Sequence, residues 1–205
     1  MKLISIEGNI GSGKSTFVQY LKNHFGDEIC FLDEPVDIWN TIVDKDNVNI
    51  IENYYKNQKK YAFSFQMMAY ISRLSLLKRA IEGNSYKYII TERSLNTDRE
   101  VFCKMLYDDE LIEEIEYNIY IKWFDEFKLN IETQYIYLRC EPLIAYNRVI
   151  ERSRKGETIP LEYLEKCHQY HEQWLNKENT IYLNSNEYKE NVYPLWLKQM
   201  RDIIV

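Results

Sequence analysis

Residues 8–15 read Gly8-Asn9-Ile10-Gly11-Ser12-Gly13-Lys14-Ser15 and match the pattern G-x-x-x-x-G-K-[ST] at every fixed position. The apolar run 2–7 before them predicts a strand, and the periodic run 14–25 after them predicts a helix. Glycines in such a turn let backbone N–H groups point inward, and the helix start adds positive potential, so the loop suits phosphate oxygens. We expect Lys14 to contact the β- and γ-phosphates of a nucleotide and Ser15 to bind Mg²⁺. This phosphate cradle, with the residue after it, comprises Gly8, Asn9, Ile10, Gly11, Ser12, Gly13, Lys14, Ser15 and Thr16.

Strands and helices alternate along the rest of the chain. The other predicted strands are 29–32, 86–91, 134–139 and 180–183. The other predicted helices are 49–82, 95–107, 109–127, 142–151, 161–175 and 192–203. This alternation is typical of an α/β fold in which helices cover both faces of a parallel sheet. We expect a single domain over residues 1–205, with a five-stranded parallel sheet flanked by helices.

Composition and charge argue against several classes of protein. The 205 residues are 45% hydrophobic and 28% charged, which is typical of a soluble globular domain. The formal net charge of −6 argues against a nucleic-acid binder, and no apolar run reaches the ~18 residues of a membrane span. Because a strand begins at residue 2, we expect no signal or transit peptide and a cytoplasmic location.

The cysteines are scattered along the chain and form no C-x-x-C pair, so we expect reduced thiols and neither a zinc site nor disulfide bonds. They are Cys30, Cys103, Cys140 and Cys167.

Two further loops carry charge at the ends of predicted strands. Glu34 follows strand 29–32 and Arg93 follows strand 86–91. The carboxyl ends of parallel strands meet at one edge of a sheet, where ligands bind. A carboxylate there can take the proton of an attacking hydroxyl, and an arginine can neutralise a transferring phosphoryl group. Taken singly, Glu34 is equally consistent with a helix cap, and Arg93 with a surface ion pair.

The cradle indicates a nucleotide phosphate but leaves the reaction open. A signalling GTPase is disfavoured, because residues 176–179 lack the final aspartate of a guanine-reading Asn-Lys-x-Asp and no Asp-x-x-Gly motif occurs. A nucleoside-monophosphate kinase of the thymidylate type is one alternative, but it needs extra basic residues for the acceptor's own phosphate. A kinase-shaped accessory subunit without activity is another, although such a protein is free to lose its catalytic residues.

Five segments together resemble the deoxyribonucleoside kinase family, the group that contains deoxycytidine and deoxyguanosine kinases. They extend through nearly the whole chain: residues 6–10 with the cradle, Glu34-Pro35-Val36 with Trp39, Phe63-Ser64-Phe65-Gln66 with Ser72-Arg73, Glu92-Arg93-Ser94 with Asp98, and Ile159-Pro160-Leu161-Glu162-Tyr163-Leu164 with His168, His171 and Trp174. The resemblance implies a P-loop kinase fold with a short arginine-rich lid at about 150–160. It also implies ATP-dependent phosphorylation of the 5′-hydroxyl of a deoxyribonucleoside, in nucleotide salvage.

The resemblance assigns roles to the charged residues. It implies that Glu34 is the general base for the 5′-hydroxyl and that Arg93 and Lys14 stabilise the moving phosphoryl group. Glu92 is expected to join Ser15 around Mg²⁺.

The resemblance also describes the acceptor pocket. Gln66 is expected to read the base edge, since a side-chain amide both donates and accepts hydrogen bonds. Tyr55 and Glu162 are expected to hold the sugar 3′-hydroxyl. The expected walls of the base slot are Trp39, Phe65 and Phe102.

Basic residues cluster in the expected lid. Arg148, Arg152 and Arg154 would close over the triphosphate, although a solvated basic helix end is the alternative. Glu187 lies in a segment that resembles the adenine-contacting loop. The stretch 154–160 is about one residue shorter than in the deoxycytidine kinase pattern.

The choice of base is expected to depend on Arg73 and Asp98. The resemblance implies that they pair at the deep end of the base pocket and crowd out the 5-methyl group of thymine. Deoxycytidine or a purine deoxynucleoside is therefore expected to be favoured over thymidine.

One predicted helix carries more aromatic residues than a core face needs. Helix 109–127 is expected to expose Tyr120, Trp123, Phe124 and Phe127, either as a homodimer face, which fits the family, or packed in the core. His168 and His171 lack cysteine or carboxylate partners in the pattern, so we expect no metal there.

Overall fold

A single parallel sheet organises the described residues, which in this computed structural model are 1–83, 86–154, 156–176 and 179–204. The strands are β1 (Lys2–Glu7), β2 (Ile29–Leu32), β3 (Tyr88–Glu92), β4 (Thr133–Arg139) and β5 (Thr180–Asn184). Their order is β2-β3-β1-β4-β5, and every neighbouring pair is parallel. The expected α/β fold with a five-stranded parallel sheet is confirmed.

Helices cover both faces of the sheet. They are α1 (Lys14–Lys22), α2 (Val36–Asn40), α3 (Ile50–Lys56), α4 (Gln58–Gly83), α5 (Leu95–Thr97), α6 (Lys104–Asp108), α7 (Glu114–Glu126), α8 (Pro142–Arg152), α9 (Leu161–Leu175) and α10 (Lys189–Ile203), with a π-helix at Asp98–Cys103 between α5 and α6. Most of these bounds lie close to the predicted ones, because apolar periodicity is a local property of the sequence.

The core on one face of the sheet is formed by α1 and α10. Ile4 and Ile6 of the central strand β1 are fully buried under it. Phe17 of α1 packs edge-on against Trp196 of α10, with ring centroids 5.1 Å apart. Fully burying an aliphatic or phenyl side chain contributes roughly 1.5–3 kcal/mol. All residues of β1 after Lys2 are buried, including Ser5 and Glu7, as expected for a strand that is covered on both faces.

The predicted helices over 49–82 and 109–127 differ in detail from the structure. The helix expected over 49–82 is interrupted at Asn57, whose backbone (φ −152°, ψ 80°) leaves the helical region between α3 and α4. The helix expected from residue 109 begins only at Glu114, because Glu113 and Glu116 form a capping box there. The short helix α2 was not predicted. Lys155, within the expected lid, lies outside the described residues.

The aromatic residues of α7 divide between the core and the surface. Tyr120 and Phe124 are buried, where both pack on Tyr70 of α4. The expectation that both are exposed is therefore wrong, because α4 crosses that side of α7. Trp123 and Phe127 are 46% and 41% exposed, and their rings stack 5.5 Å apart.

The parallel arrangement brings four loop starts to one edge of the sheet. Gly8 follows β1, Arg93 follows β3, and the loops after β2 and β4 begin at the same edge. Residues far apart in sequence thus become neighbours around the phosphate cradle. Among the described helices, including the 26-residue α4, none is both long and apolar enough to cross a bilayer.

Candidate active site

The phosphate cradle has a backbone that only glycine tolerates at its turning points. Gly8, Gly11 and Gly13 have φ angles of 143°, 82° and 92°. A Cβ atom on Gly11 would also lie 2.3 Å from the carbonyl oxygen of Ala145, so a side chain there is excluded sterically. The loop closes tightly and leads directly into α1, as the sequence predicts.

Lys14 is buried and hydrogen-bonded at the base of the cradle. Its Nζ donates to the carbonyl oxygen of Asn9 at 2.7 Å, and the residue is only 4% exposed. Burial, reinforced by the positive charge of Arg93, lowers the pKa of Lys14 to about 7. An anionic ligand would restore the charged form, because an opposite charge raises the pKa of an amine.

Ser15 and Glu92 place two oxygens side by side at the start of α1. Ser15 Oγ donates to Glu92 Oε1 at 2.8 Å, which brings a hydroxyl and a carboxylate next to the cradle as the sequence predicts. Oxygen atoms of this kind are the ligands that Mg²⁺ prefers, together with phosphates and water.

Glu34 lies between two arginines at the edge of the cradle. Its Oε1 accepts from Arg93 Nη1 at 2.5 Å and lies 3.5 Å from Arg73 Nη2. Burial alone would raise the pKa of Glu34, but Arg93 and then Arg73 outweigh it and hold the pKa at about 2. The carboxylate is therefore ionised at neutral pH. The alternatives of a helix cap for Glu34 and a surface ion pair for Arg93 do not describe this buried contact.

Arg93 itself has an unusual backbone. Its φ of 65° is left-handed, which is costly for a residue with a Cβ, and its N–H donates to the carbonyl oxygen of Ile6. The guanidinium lies 5.2 Å from the ring centre of Phe102, and its buried Nε finds no partner among the described residues. Strained residues of this kind concentrate at functional sites.

Arg73 and Asp98 form the pair that the resemblance implies. Arg73 Nε donates to Asp98 Oδ2 at 3.0 Å, and Nη1 donates to the carbonyl oxygen of Glu92 at 2.9 Å. The side chains of Arg73 and Asp98 are 7% and 2% exposed. Asp98 opens the π-helix, which replaces the ordinary helix predicted over 95–107. Such i→i+5 segments are rare and frequent at functional sites.

An aromatic slot lies beside these charges. Trp39 and Phe65 pack edge-on at 5.4 Å, and the Trp39 Nε1 is anchored on the Ser72 hydroxyl at 2.9 Å. Gln66 is 3% exposed, and its Oε1 finds no partner among the described residues. A buried amide oxygen without a partner costs free energy unless a ligand satisfies it, so the slot is suited to a flat polar ring.

One glutamate that the resemblance assigns to the acceptor pocket does not line the cavity. Glu162 lies exposed on the first turn of α9, outside the residues that line the cavity. Glu157 lines the cavity instead, together with Tyr55, and its side chain is 6% exposed. The sequence feature that could have pointed to Glu157 is its position just after the lid arginines. It lies in a loop that is about one residue shorter than in the deoxycytidine kinase pattern.

The lid arginines have partners near the cavity. Arg152 donates to Glu157 through Nη2 at 2.5 Å and Nε at 3.1 Å, and Arg154 lies 3.9 Å from the same carboxylate. Arg148 donates to the carbonyl oxygens of Ser185 and Glu187 at 2.8 and 3.3 Å. Two lid arginines are thus bonded within the lid itself, and Arg148 connects the helix that precedes it to the 185–187 loop.

All of these elements open into one cavity of about 770 Å³. It brings together the cradle, the acidic and basic cluster, the aromatic slot and the lid. Sequence reasoning did not identify Tyr163, Ser185 and Trp196, which also line it. The predicted residues along its wall are Ile10, Gly11, Gly13, Lys14, Ser15, Thr16, Glu34, Trp39, Tyr55, Phe65, Gln66, Arg73, Glu92, Arg93, Asp98, Phe102, Arg148, Arg152, Arg154 and Glu187.

Comparison with known proteins agrees with this geometry. The sequence pattern of the family described as deoxynucleoside kinase matches residues 4–199. Bovine (Bos taurus) deoxycytidine kinase is 37% identical over 201 residues, covering 85% of this chain and 75% of that protein. Deoxycytidine kinase 1 of Xenopus laevis is 36% identical over 198 residues, covering 86% and 74%. The mitochondrial deoxyguanosine kinase of Xenopus laevis is 33% identical over 200 residues, covering 88% and 75%.

Removing Asp98 should destabilise the protein through its partner. We expect Asp98→Ala to lower the free energy of unfolding by roughly 3–5 kcal/mol, because Arg73 loses a buried counter-charge. The double variant Arg73→Met/Asp98→Ala should recover most of that loss in urea denaturation. Asp125→Ala, which breaks an exposed contact with Arg99, is the control and should cost no more than about 1 kcal/mol. A double variant as unstable as Asp98→Ala would contradict the pairing.

Proposed function

The chain belongs to the deoxynucleoside kinase family, and from this we propose how its residues transfer a phosphoryl group from ATP to the 5′-hydroxyl of a deoxynucleoside. The enzyme is a phosphotransferase of nucleotide salvage. The observation that carries the proposal for the chemistry is the contact between Glu34 and Arg93 beside the cradle. It supports a hydroxyl-activating carboxylate and a phosphoryl-stabilising cation at one point.

The donor half of the cavity is built for a triphosphate. The backbone N–H groups of the cradle and Lys14 would bind the β- and γ-phosphates. Arg148, Arg152 and Arg154 would neutralise the remaining charge from the lid. Glu187, in the loop bound by Arg148, would lie along the adenine.

Ser15 and Glu92 would hold Mg²⁺. Their oxygens lie 2.8 Å apart at the cradle, which fits a cation that takes few protein ligands and otherwise binds phosphate and water. When bound, the ion neutralises charge on the phosphates. Among the described residues no cluster of three or more His, Cys, Asp or Glu side chains forms a dedicated metal cage.

Glu34 would orient the 5′-hydroxyl and accept its proton. With a pKa of about 2 it is ionised but weakly basic. Such a base suits a loose transition state, in which positioning and charge neutralisation do most of the catalysis. Arg93 would stabilise the phosphoryl group as it moves away from ATP.

The acceptor half would select the base and sugar. Gln66 would pair with the base edge between the walls formed by Trp39, Phe65 and Phe102. The buried pair of Arg73 and Asp98, which lines the cavity, supports rejection of thymine, because it would crowd the 5-methyl group. We therefore propose that deoxycytidine or a purine deoxynucleoside is favoured. Rejection of a single methyl is modest, on the order of 10–200-fold.

We propose that Tyr55 and Glu157 hold the sugar 3′-hydroxyl. Both line the cavity, and Glu157 replaces Glu162, which lies outside it. The ionised carboxylate is a stronger acceptor for a hydroxyl than a neutral group.

Two observations disfavour the alternatives. An acceptor that already carries a phosphate needs free cations in its pocket, but Arg73 and Arg93 are both bonded to carboxylates. An inactive accessory subunit has no need to retain Lys14, Glu34 and Arg93 along the wall of one cavity.

We propose that the chain forms one domain and a homodimer through α7. Ile115, Ile119, Trp123 and Phe127 repeat every four residues on one side of that helix and are 68%, 42%, 46% and 41% exposed. Contiguous exposed apolar surface of this kind is typical of an interface. The free cysteines support a reducing compartment, for which we propose the cytoplasm.

A coupled assay with ATP and each of four deoxynucleosides tests the function and the base preference together. We expect phosphorylation of at least deoxycytidine or one purine deoxynucleoside, with thymidine the poorest by kcat/KM. Thymidine as the best substrate would overturn the base argument. No product with any of the four would overturn the proposed reaction.

Replacing Glu34 by glutamine should give a folded but less stable protein, because Arg93 loses its buried counter-charge. It should lower kcat by ~10²–10⁴-fold, because the amide cannot take the hydroxyl proton. Asp37→Asn is the matched control, since it removes an exposed carboxylate three residues away on α2. Steady-state kinetics at saturating ATP measure both variants. Near wild-type kcat for Glu34→Gln would show that Glu34 is not the base.

Glu157→Gln should raise KM for the deoxynucleoside by roughly 10–100-fold, because a hydrogen bond to a charged group is worth about 1.5–3 kcal/mol. Glu162→Gln is the matched control and should leave KM unchanged. A 2′,3′-dideoxynucleoside should be equally poor with wild type and Glu157→Gln. A large effect of Glu162→Gln would restore the first assignment.

Sedimentation equilibrium tests the dimer. The wild type should sediment as a dimer of the 24.9 kDa chain, and Trp123→Glu as a monomer, because a charge in a buried apolar interface is costly. Leu195→Glu, on the exposed side of α10, should stay dimeric. A monomeric wild type would overturn the proposal.

A further inference from the structure

Asn9 makes contacts that the phosphate cradle alone does not need. The residue is 1% exposed. Its Nδ2 donates to the carbonyl oxygen of Leu164 at 2.8 Å, across 155 residues of sequence. Its Oδ1 accepts from the N–H of Ile10 at 2.8 Å. The side chain thus uses both ends of its amide on backbone groups.

The backbone of Asn9 is equally engaged. Its carbonyl oxygen accepts from Lys14 Nζ at 2.7 Å and from the N–H of Ser12 at 3.2 Å. The peptide group that receives Lys14 is therefore the one that the Asn9 side chain secures. Any rotation of this peptide would move the lysine and the turn together.

Leu164 connects the cradle, through its bond to Asn9, with residues on the proposed acceptor side of the cavity. It lies in the first turn of α9, the helix that begins directly after the lid. Its neighbour Tyr163 lines the cavity, and the hydroxyl groups of Tyr163 and Tyr54 are 3.0 Å apart. Tyr54 packs on Phe65 at 4.9 Å, in the wall of the aromatic slot. A continuous chain of contacts joins the cradle to that wall.

We propose that Asn9 is a positioning residue that fixes the distance between the phosphate cradle and the nucleoside-binding wall. This inference rests on the proposed function. In-line transfer requires the hydroxyl and the γ-phosphorus to be aligned closely, and an error of 1 Å can cost about 10²-fold in rate. The amide is needed because aspartate lacks the donor for Leu164 and serine is too short to reach it.

Asn9→Ala and Asn9→Ser test the proposal in steady-state kinetics. We expect kcat to fall by roughly 10–100-fold and KM for the deoxynucleoside to rise, since the reacting groups are misaligned. ATP affinity, measured separately by calorimetry, should fall by a smaller factor than kcat, because the backbone donors of the cradle remain. A positioning role therefore appears as a loss of kcat that exceeds the loss of ATP binding.

Two control variants separate this role from general stability. Asn179→Ala removes an exposed bond of similar length from an asparagine amide to a carbonyl oxygen, that of Thr133 at 2.9 Å, away from the cavity. It should lower Tm without changing kcat. Ser185→Ala removes the 2.6 Å bond from Ser185 Oγ to the carbonyl oxygen of Ser12, which ties the cradle to the donor side. It should raise KM mainly for ATP.

The outcomes distinguish the inference from the reaction on which it rests. Absence of kinase activity in the wild type would refute the proposed function, and this inference with it. An active wild type with unchanged kcat in both Asn9 variants would overturn the inference alone. Failure of both variants to fold would also overturn it, because Asn9 would then be a structural residue.

Discussion

The buried cluster around Glu34 is the constraint on which the site depends. Glu34 contacts Arg93 and Arg73, and Arg73 in turn contacts Asp98. Burying one such charge alone is prohibitive, so each exists here only because an opposite charge lies beside it. The groups come from the ends of two strands, from α4 and from the π-helix. Aligning these elements is therefore a condition for burying the cluster at all.

The backbone departs from regular geometry where this cluster meets the cradle. Gly11 and Gly13 turn with positive φ, Arg93 adopts the left-handed region, and a π-helix delivers Asp98. Glycine adopts positive φ readily, but the left-handed backbone of Arg93 costs free energy and persists only when the surroundings over-determine it. The parallel sheet provides that support, because its buried strands fix where each loop begins. The irregular segments can thus hold charged groups in place without loosening the fold.

The cavity separates two kinds of recognition. The proposed donor side has backbone N–H groups and cations, which suit a triphosphate. The proposed acceptor side has a flat aromatic slot, the buried amide of Gln66, whose oxygen finds no partner among the described residues, and a buried ion pair, groups that can distinguish one base from another. Glu157 lines the cavity that both sides share and is bonded to the lid residue Arg152.

The sequence by itself predicted most features that depend on neighbouring residues. The cradle, the alternation of strands and helices and the charged ends of β2 and β3 were all predicted, because each depends on neighbouring residues or on simple periodicity. The family resemblance supplied Gln66, Arg73 and Asp98, and the structure brings all three to one cavity.

Tertiary structure alone decided which residues face one another. Glu157 lines the cavity while Glu162 points away from it, Tyr120 is buried while Trp123 is exposed, and Asn9 reaches Leu164. Each outcome depends on where a distant segment packs, and such long-range contacts leave no period or spacing in the sequence around either partner.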